Sequence, residues 1–141
     1  MPPVIVYRSI LGTTKQYATW LAEELKADMV SFSEAGADLL SLHDTVIILS
    51  GTYLGRMPLV TFLKKHWRSL KDKRIFVVAV GLVPPHDPAS QQSYQRIPDA
   101  IRQHITYLKI PGKIGTKESP AGPVIKENLR PIIESINKST R

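Results

Sequence analysis

Apolar positions along this chain alternate between two rhythms. Val4 to Tyr7, Val46 to Ser50 and the run Arg74-Ile-Phe-Val-Val-Ala-Val-Gly81 are short, β-branched or aromatic, and almost free of polar interruption. Such runs suit strands buried on both faces of a parallel sheet. Ala27 to Phe32 and Ile105 to Ile110 predict two further strands. Between them the spacing becomes helical. Tyr17, Leu21 and Leu25, with Ala18 and Trp20 beside them, share one face, and Lys15, Glu23 and Lys26 lie outside it. Leu59, Leu63, Trp67 and Leu70 form a second apolar stripe, and Pro58 suits the first turn of that helix. Short helical pieces are expected at Ala89 to Gln95 and Asp99 to Gln103, divided near Pro98. In the last helix Ile125, Leu129, Ile132, Ile133 and Ile136 share a face, and Pro131 should kink it or start a second helix. Ser33 to Thr45 reads as a loop with a brief helical turn, and Gly112 to Gly122 as a polar loop.

Strands alternating with helices predict an α/β fold, a five-stranded parallel sheet in the order 2-1-3-4-5 with helices on both faces. The length fits one domain over residues 1–141. A ligand then belongs at the carboxyl ends of the strands, where three loops converge: Ser9 to Thr14, Gly51 to Met57 and Gly81 to Pro88. In the first loop Gly12 lets the backbone come close to a ligand, while Ser9, Thr13 and Thr14 offer hydroxyls. The amides opening the next helix favour an anion. The same residues also suit ordinary N-capping, and both readings stand at this point. Neither GxGxxG nor GxxxxGK[ST] occurs, so the dinucleotide and P-loop fingerprints are absent.

Charge and composition narrow the chemistry. Lys and Arg number 19 against 12 Asp and Glu, a net charge of +7 that draws anionic partners. With no cysteine, thiol redox chemistry, disulfides and Cys-ligated metals or clusters are excluded, so a redox role needs a cofactor. His43, His66, His86 and His104 lack metal-ligand spacing, and only His86-Asp87, near the third loop, forms a pair to test. The densest charge is Lys64, Lys65, Arg68, Lys71, Lys73 and Arg74. It reads first as a solvated face suited to a helix carboxyl end, second as a dock for an acidic partner. Nucleic acid is not expected, because Trp67 lies on the apolar stripe rather than among the cations. No run approaches a membrane span and no signal segment precedes Val4, so a soluble cytoplasmic protein is expected.

Taken together, the three loops resemble those of the flavodoxins. Ser9-Ile10-Leu11-Gly12-Thr13-Thr14 is similar to the family's phosphate loop [ST]-x-T-G-x-T, with Leu11 in place of the central Thr, hence one hydroxyl fewer. The resemblance implies FMN held by this loop, with Leu11 still donating its amide. It implies further that Thr52, Tyr53, Leu54 and Gly55 cover one face of the isoalloxazine, Tyr53 stacking and Leu54-Gly55 lying against the flavin N5. Gly81 and Leu82 would lie along the pyrimidine edge, in a loop that here lacks the family's frequent aromatic, with Tyr94 the nearest. Tyr-Arg-Ser at 7–9, the helix Gly12 to Leu25, and Ile97 to Gly112 resemble more closely the branch that includes menaquinone-dependent protoporphyrinogen oxidases.

The resemblance implies first an FMN-dependent electron-transfer protein with no catalytic side chain and no metal, an oxidoreductase module whose redox partner docks through Lys64, Lys65, Arg68 and Lys71. The second reading is a flavoenzyme acting on a porphyrinogen or quinone in a pocket formed by Leu82 to Arg96. The third is a flavin-free interaction domain, for which the strand ends Ser9, Ser50 and Gly81 lack a receiver's carboxylates. Typical flavodoxins are acidic. The opposite sign here should stabilise a reduced, anionic flavin and raise its low potential, an effect that screening weakens beyond about 8 Å.

Overall fold

The computed structural model describes residues 2–9, 12–52, 57–114, 117–118 and 120–139. Strands β1 (Val4–Arg8), β2 (Asp28–Ser31), β3 (Thr45–Gly51), β4 (Arg74–Gly81) and β5 (Ile105–Pro111) form one parallel sheet in the order β2-β1-β3-β4-β5. The sequence reading of topology holds. All seven residues of β3 are buried, as a central strand covered on both faces requires. β2 and β5 stand at the edges and are only partly covered.

Alternation along each strand sends side chains to two cores. On one face Val4, Val6, Val46, Ile48, Val77 and Ala79 pack beneath α2 (Ala37–Leu40), α3 (Pro58–Leu70) and the neighbouring α5 (Asp99–Arg102). On the other, Ile5, Ile47, Leu49, Phe76, Val78 and Val80 meet α1 (Thr13–Leu25) and α6 (Arg130–Ser139). From α1 come the fully buried Tyr17, Ala18 and Leu21; from α3, Leu59, Phe62, Leu63 and Leu70. Burying one such leucine stabilises the fold by about 1.5–3 kcal/mol, so this stripe is the main reason α3 is helical here. Trp67, grouped with it by spacing, is half-buried at the rim, its ring 5.8 Å from that of His104. The remaining helix, α4 (Pro88–Gln95), starts with Pro88 in its first turn and Asp87 Oδ1 accepting from the Ala89 amide at 2.9 Å.

The carboxyl-terminal third departs from expectation in two places. The segment read as a polar loop contains a short antiparallel pair, β6 (Lys113–Ile114) and β7 (Lys117–Glu118). The last helix is divided as Pro131 requires: a 3₁₀ turn at Lys126–Leu129 precedes α6, and Pro131 occupies the first turn of α6, where a missing amide costs little. Ile125, assigned by spacing to the buried stripe, precedes that turn and is 43% exposed. Leu129, Ile132 and Ile136 are buried as expected.

Candidate functional site

Because all five strands run the same way, the loops after β1, β3, β4 and β5 emerge at one end of the sheet. There they line a depression of about 80 Å³ formed by Ser9, Thr13, Thr14, Gly51, Thr52, Val80, Gly81, Leu82, Gly112 and Lys113. Of the expected site residues, Ser9, Gly12, Thr13, Thr14, Thr52, Gly81 and Leu82 are described, and all but Gly12 line it directly. Gly12 lines the adjoining cavity of about 520 Å³ together with Tyr7, Arg8, Ser9, Lys15 and Ser31 to Ser33. Ile10, Leu11, Tyr53, Leu54 and Gly55 lie outside the described residues.

The first turn is shaped by its glycine. Gly12 is the N-cap of α1 with φ 87°, a left-handed conformation that costs an L residue about 1–2 kcal/mol. No side chain caps the helix. The Ser9 hydroxyl oxygen accepts from the Gly12 amide at 3.1 Å, a bond inside the turn that leaves the hydroxyl hydrogen available to donate. The capping reading is therefore met only in this limited form, and the positive end of α1 faces the depression without a carboxylate in its first turn.

Two bonds tie this turn to distant chain. Thr13 Oγ1 donates to the Lys113 carbonyl at 3.4 Å, drawing β6 over the first loop. Tyr17, wholly buried, donates its hydroxyl to the Pro111 carbonyl and accepts from Asn128 Nδ2 at 3.0 Å. Burial holds the phenol above its ordinary pKa, the Asn128 bond opposing.

Gly112 and Lys113 complete the site from a fourth loop that sequence reasoning did not assign. The signal was present: Pro111-Gly112 ends a strand of the same parallel sheet, so its loop had to emerge at the same end. Gly112 is needed for closeness. A Cβ there would lie 3.0 Å from Val80 Cγ1 and 3.3 Å from the Gly81 nitrogen, and its amide donates to the Gly81 carbonyl at 2.7 Å. At Gly81 a Cβ would meet Lys109 Nζ at 2.9 Å. Both glycines therefore serve close packing of the strand ends and of the Lys109 side chain.

Beyond Gly81, a second cavity of about 180 Å³ is lined by Thr52, Leu82, Val83, Ala89, Ser90, Ser93 and Lys109. A third, about 420 Å³, runs along β5 beside α4 past Pro85, Ser90, Gln91, Tyr94, Tyr107 and Lys109. Tyr94 packs against Tyr107 with ring centroids 4.7 Å apart and the rings tilted by 53°, and carries the Arg102 guanidinium 5.5 Å from its ring. Of the His86-Asp87 pair, the aspartate carboxylate caps α4 and His86 is exposed. His43 Nδ1 lies 3.0 Å from the Pro2 carbonyl oxygen, and His66 stacks on Phe62 at 4.4 Å. Among the described residues no group of His, Asp or Glu could hold a metal.

The chemistry of the cradle is one-sided. Hydroxyls, a helix amino end, Arg8, Lys15 and Lys113 surround the depression and the adjoining cavity, and among the described residues no carboxylate lines either, the nearest to the second being Glu34, whose Oε1 accepts from the Ser31 hydroxyl at 2.8 Å. A phosphate is the group such donors fit, and an extended cofactor could run from it toward Thr52, Gly81 and Leu82. Among the described residues, no helix is long and apolar enough to cross a membrane.

Comparison with known proteins bears on the fold and the family. No curated protein matches the chain. Its fold is similar to that of a flavodoxin from the domain Archaea, at 20% identity and a TM-score of 0.64 over 100% of both chains. A short-chain flavodoxin associated with a non-canonical PDU bacterial microcompartment shares 18% identity, with a TM-score of 0.66 over 100% of both. Fusobacterium nucleatum flavodoxin, in a structure bound to flavin mononucleotide, shares 15% identity, with a TM-score of 0.57 over 99% of both. The model of the flavodoxin domain matches residues 4–118, which span β1 to β7, so the chain belongs to the flavodoxin-domain family.

Proposed function

We propose that this protein binds FMN and transfers electrons through it. The observation that carries the reading is the depression in which Ser9, Thr13, Thr14 and the start of α1 meet Thr52, Gly81 and Gly112 at one end of the sheet, with no carboxylate lining it among the described residues. Ser9 and Thr13 would hold the phosphate, and Thr52 and Gly81 would border the ring system. The bound flavin supplies the redox chemistry. The chain's own residues orient it, exclude water from it and set the charge around it.

The redox partner of this reading is an acidic protein. Lys64, Lys65 and Arg68 on α3 and Lys71 at its C-cap are all exposed. Helix α3 starts beside the site and runs away from it, so Lys71, thirteen residues after Pro58, lies about 20 Å along the helix axis. Contact then belongs to the near end, where Lys64 and Arg96 flank a groove of about 310 Å³ with Met57, Val60 and Thr61. Arg68 and Lys71 steer the approach over longer range.

A second reading is supported by the 420 Å³ cavity beside α4. In that reading the protein is a flavoenzyme of the quinone reductase or protoporphyrinogen oxidase type. Its planar substrate lies against Tyr94 and Tyr107, with Lys109 facing a carboxylate or carbonyl.

The test is titration of the purified protein with FMN and with riboflavin, followed by stepwise anaerobic reduction. FMN should bind at least tenfold more tightly than riboflavin, because the cradle recognises the phosphate. Accumulation of a one-electron reduced form supports the carrier. Direct two-electron reduction, with turnover of a quinone or porphyrinogen, supports the enzyme. No FMN binding at micromolar concentration refutes both.

A further inference from the structure

Lys109 is a cation placed at the inner edge of the site. Its backbone belongs to edge strand β5 in register with Ala79, and the side chain runs along the sheet toward the carboxyl ends of the strands. Its Nζ comes within 3.5 Å of Thr52 Oγ1 and lies beside Gly81, where a Cβ would approach it to 2.9 Å. The lysine lines both the 180 Å³ and the 420 Å³ cavities, so it stands between the depression at Gly81 and the groove along β5.

What it lacks is an anion. Among the described residues no carboxylate lies within salt-bridge distance of Lys109. Asp87, whose charge does reach it, has its carboxylate bonded to the Ala89 amide. Burial accordingly pulls the ammonium below the ordinary lysine value, with Asp87 opposing. A half-buried ammonium that stands at a cleft, bonded to a hydroxyl and with no carboxylate in salt-bridge range among the described residues, is a place that suits an incoming anion.

We propose that Lys109 faces the flavin and stabilises its reduced form over its oxidised form. This rests on the FMN reading above. The oxidised ring system is neutral. Two electrons from a reduced partner, or in the test from dithionite, and one proton from solvent would leave one negative charge on the ring. A cation bordering the ring discriminates between those two states, whereas Ser9, Thr13 and the start of α1, directed at the phosphate, hold both alike.

The experiment measures the midpoint potential of the bound flavin and the Kd for oxidised FMN in the wild-type protein, Lys109→Met and Lys109→Arg. The neutral variant should bind oxidised FMN within about twofold of wild type. It should bind reduced FMN about tenfold more weakly, which lowers a two-electron midpoint by about 30 mV. Lys109→Arg should retain most of the wild-type value. Lys109→Gln provides the same neutral test if Lys109→Met does not fold. A neutral variant that binds FMN with an unchanged midpoint overturns the inference and leaves the FMN reading intact. Failure of the wild-type protein to bind FMN overturns both.

Discussion

Replacing Gly112 with alanine puts a methyl group into the seam between the ends of β4 and β5. The new Cβ would lie 3.0 Å from Val80 Cγ1, 3.3 Å from the Gly81 nitrogen and 3.4 Å from Gly81 Cα. Two of these neighbours are backbone, and the Gly112 amide is bonded to the Gly81 carbonyl at 2.7 Å, so the strand ends cannot part without losing that bond. Val80, only 4% exposed, is held by its own core. Overpacking of this kind costs about 1–3 kcal/mol. Alanine also restricts the unfolded chain, which offsets about 0.4–1 kcal/mol where the native backbone conformation suits it. The net expectation is a loss of about 1–2 kcal/mol. Gly81→Ala is the control. Its Cβ would meet the far end of a flexible side chain, Lys109 Nζ at 2.9 Å and Cε at 3.2 Å, which can swing away. Its stability should stay within about 0.5 kcal/mol of wild type. Urea unfolding followed by fluorescence of Trp20 and Trp67 measures both. A Gly112→Ala protein as stable as wild type would refute the seam, as would a Gly81→Ala protein that loses as much.

Three further outcomes are expected. Tyr17→Phe leaves the Pro111 carbonyl without its buried donor and removes an acceptor from Asn128, so urea unfolding should show a loss of about 1–3 kcal/mol. Tyr17 and Tyr107 both have pKa values raised by burial, so each favours the protonated phenol in the folded state. The stability this gives is complete below pH 10 and declines as pH rises above it. Thermal melts between pH 8 and 11 should show a fall that is smaller in Tyr17→Phe than in wild type. Gly12→Ala meets nothing within 4 Å but must keep φ near 87°, so it should destabilise by about 1–2 kcal/mol through backbone strain alone.

The frame of this molecule was legible because its driving signal is local. Continuous apolar runs such as Val46 to Leu49 specify a strand covered on both faces, and their alternation with helical stripes allows few topologies. Boundaries shifted by a residue or two where edge strands thin out, as at β2. Ile125 misled because it continues the helical spacing on paper, whereas the chain there is extended and enters the 3₁₀ turn only at Lys126. The short β6–β7 pair had no apolar alternation to announce it, since Lys113, Lys117 and Glu118 are charged. Within the site, loops next to recognisable turn residues could be read, and Ser9, Thr13 and Gly81 stand around the depression at the carboxyl end of the sheet with Gly12 in the adjoining cavity. Lys109 could not be read. Its role depends on a long side chain crossing β4 to reach Thr52 at the end of β3, a relation of position that no spacing along the chain encodes.

The hydroxyl of Tyr17 joins residues 94 and 111 positions apart from it in the chain. During synthesis, then, the first strand and helix emerge long before the groups that fix their final seating. Until Asn128 has left the ribosome, Tyr17 has no amide to accept from, and until Lys113 has done so, Thr13 lacks the carbonyl that draws the hairpin over it. The end of the sheet that carries the anion cradle is assembled last, although its most recognisable residues are made first. Closure of the site should accordingly follow emergence of residues 113 to 128, and a nascent chain stalled before residue 113 should hold a formed first helix without a closed cradle.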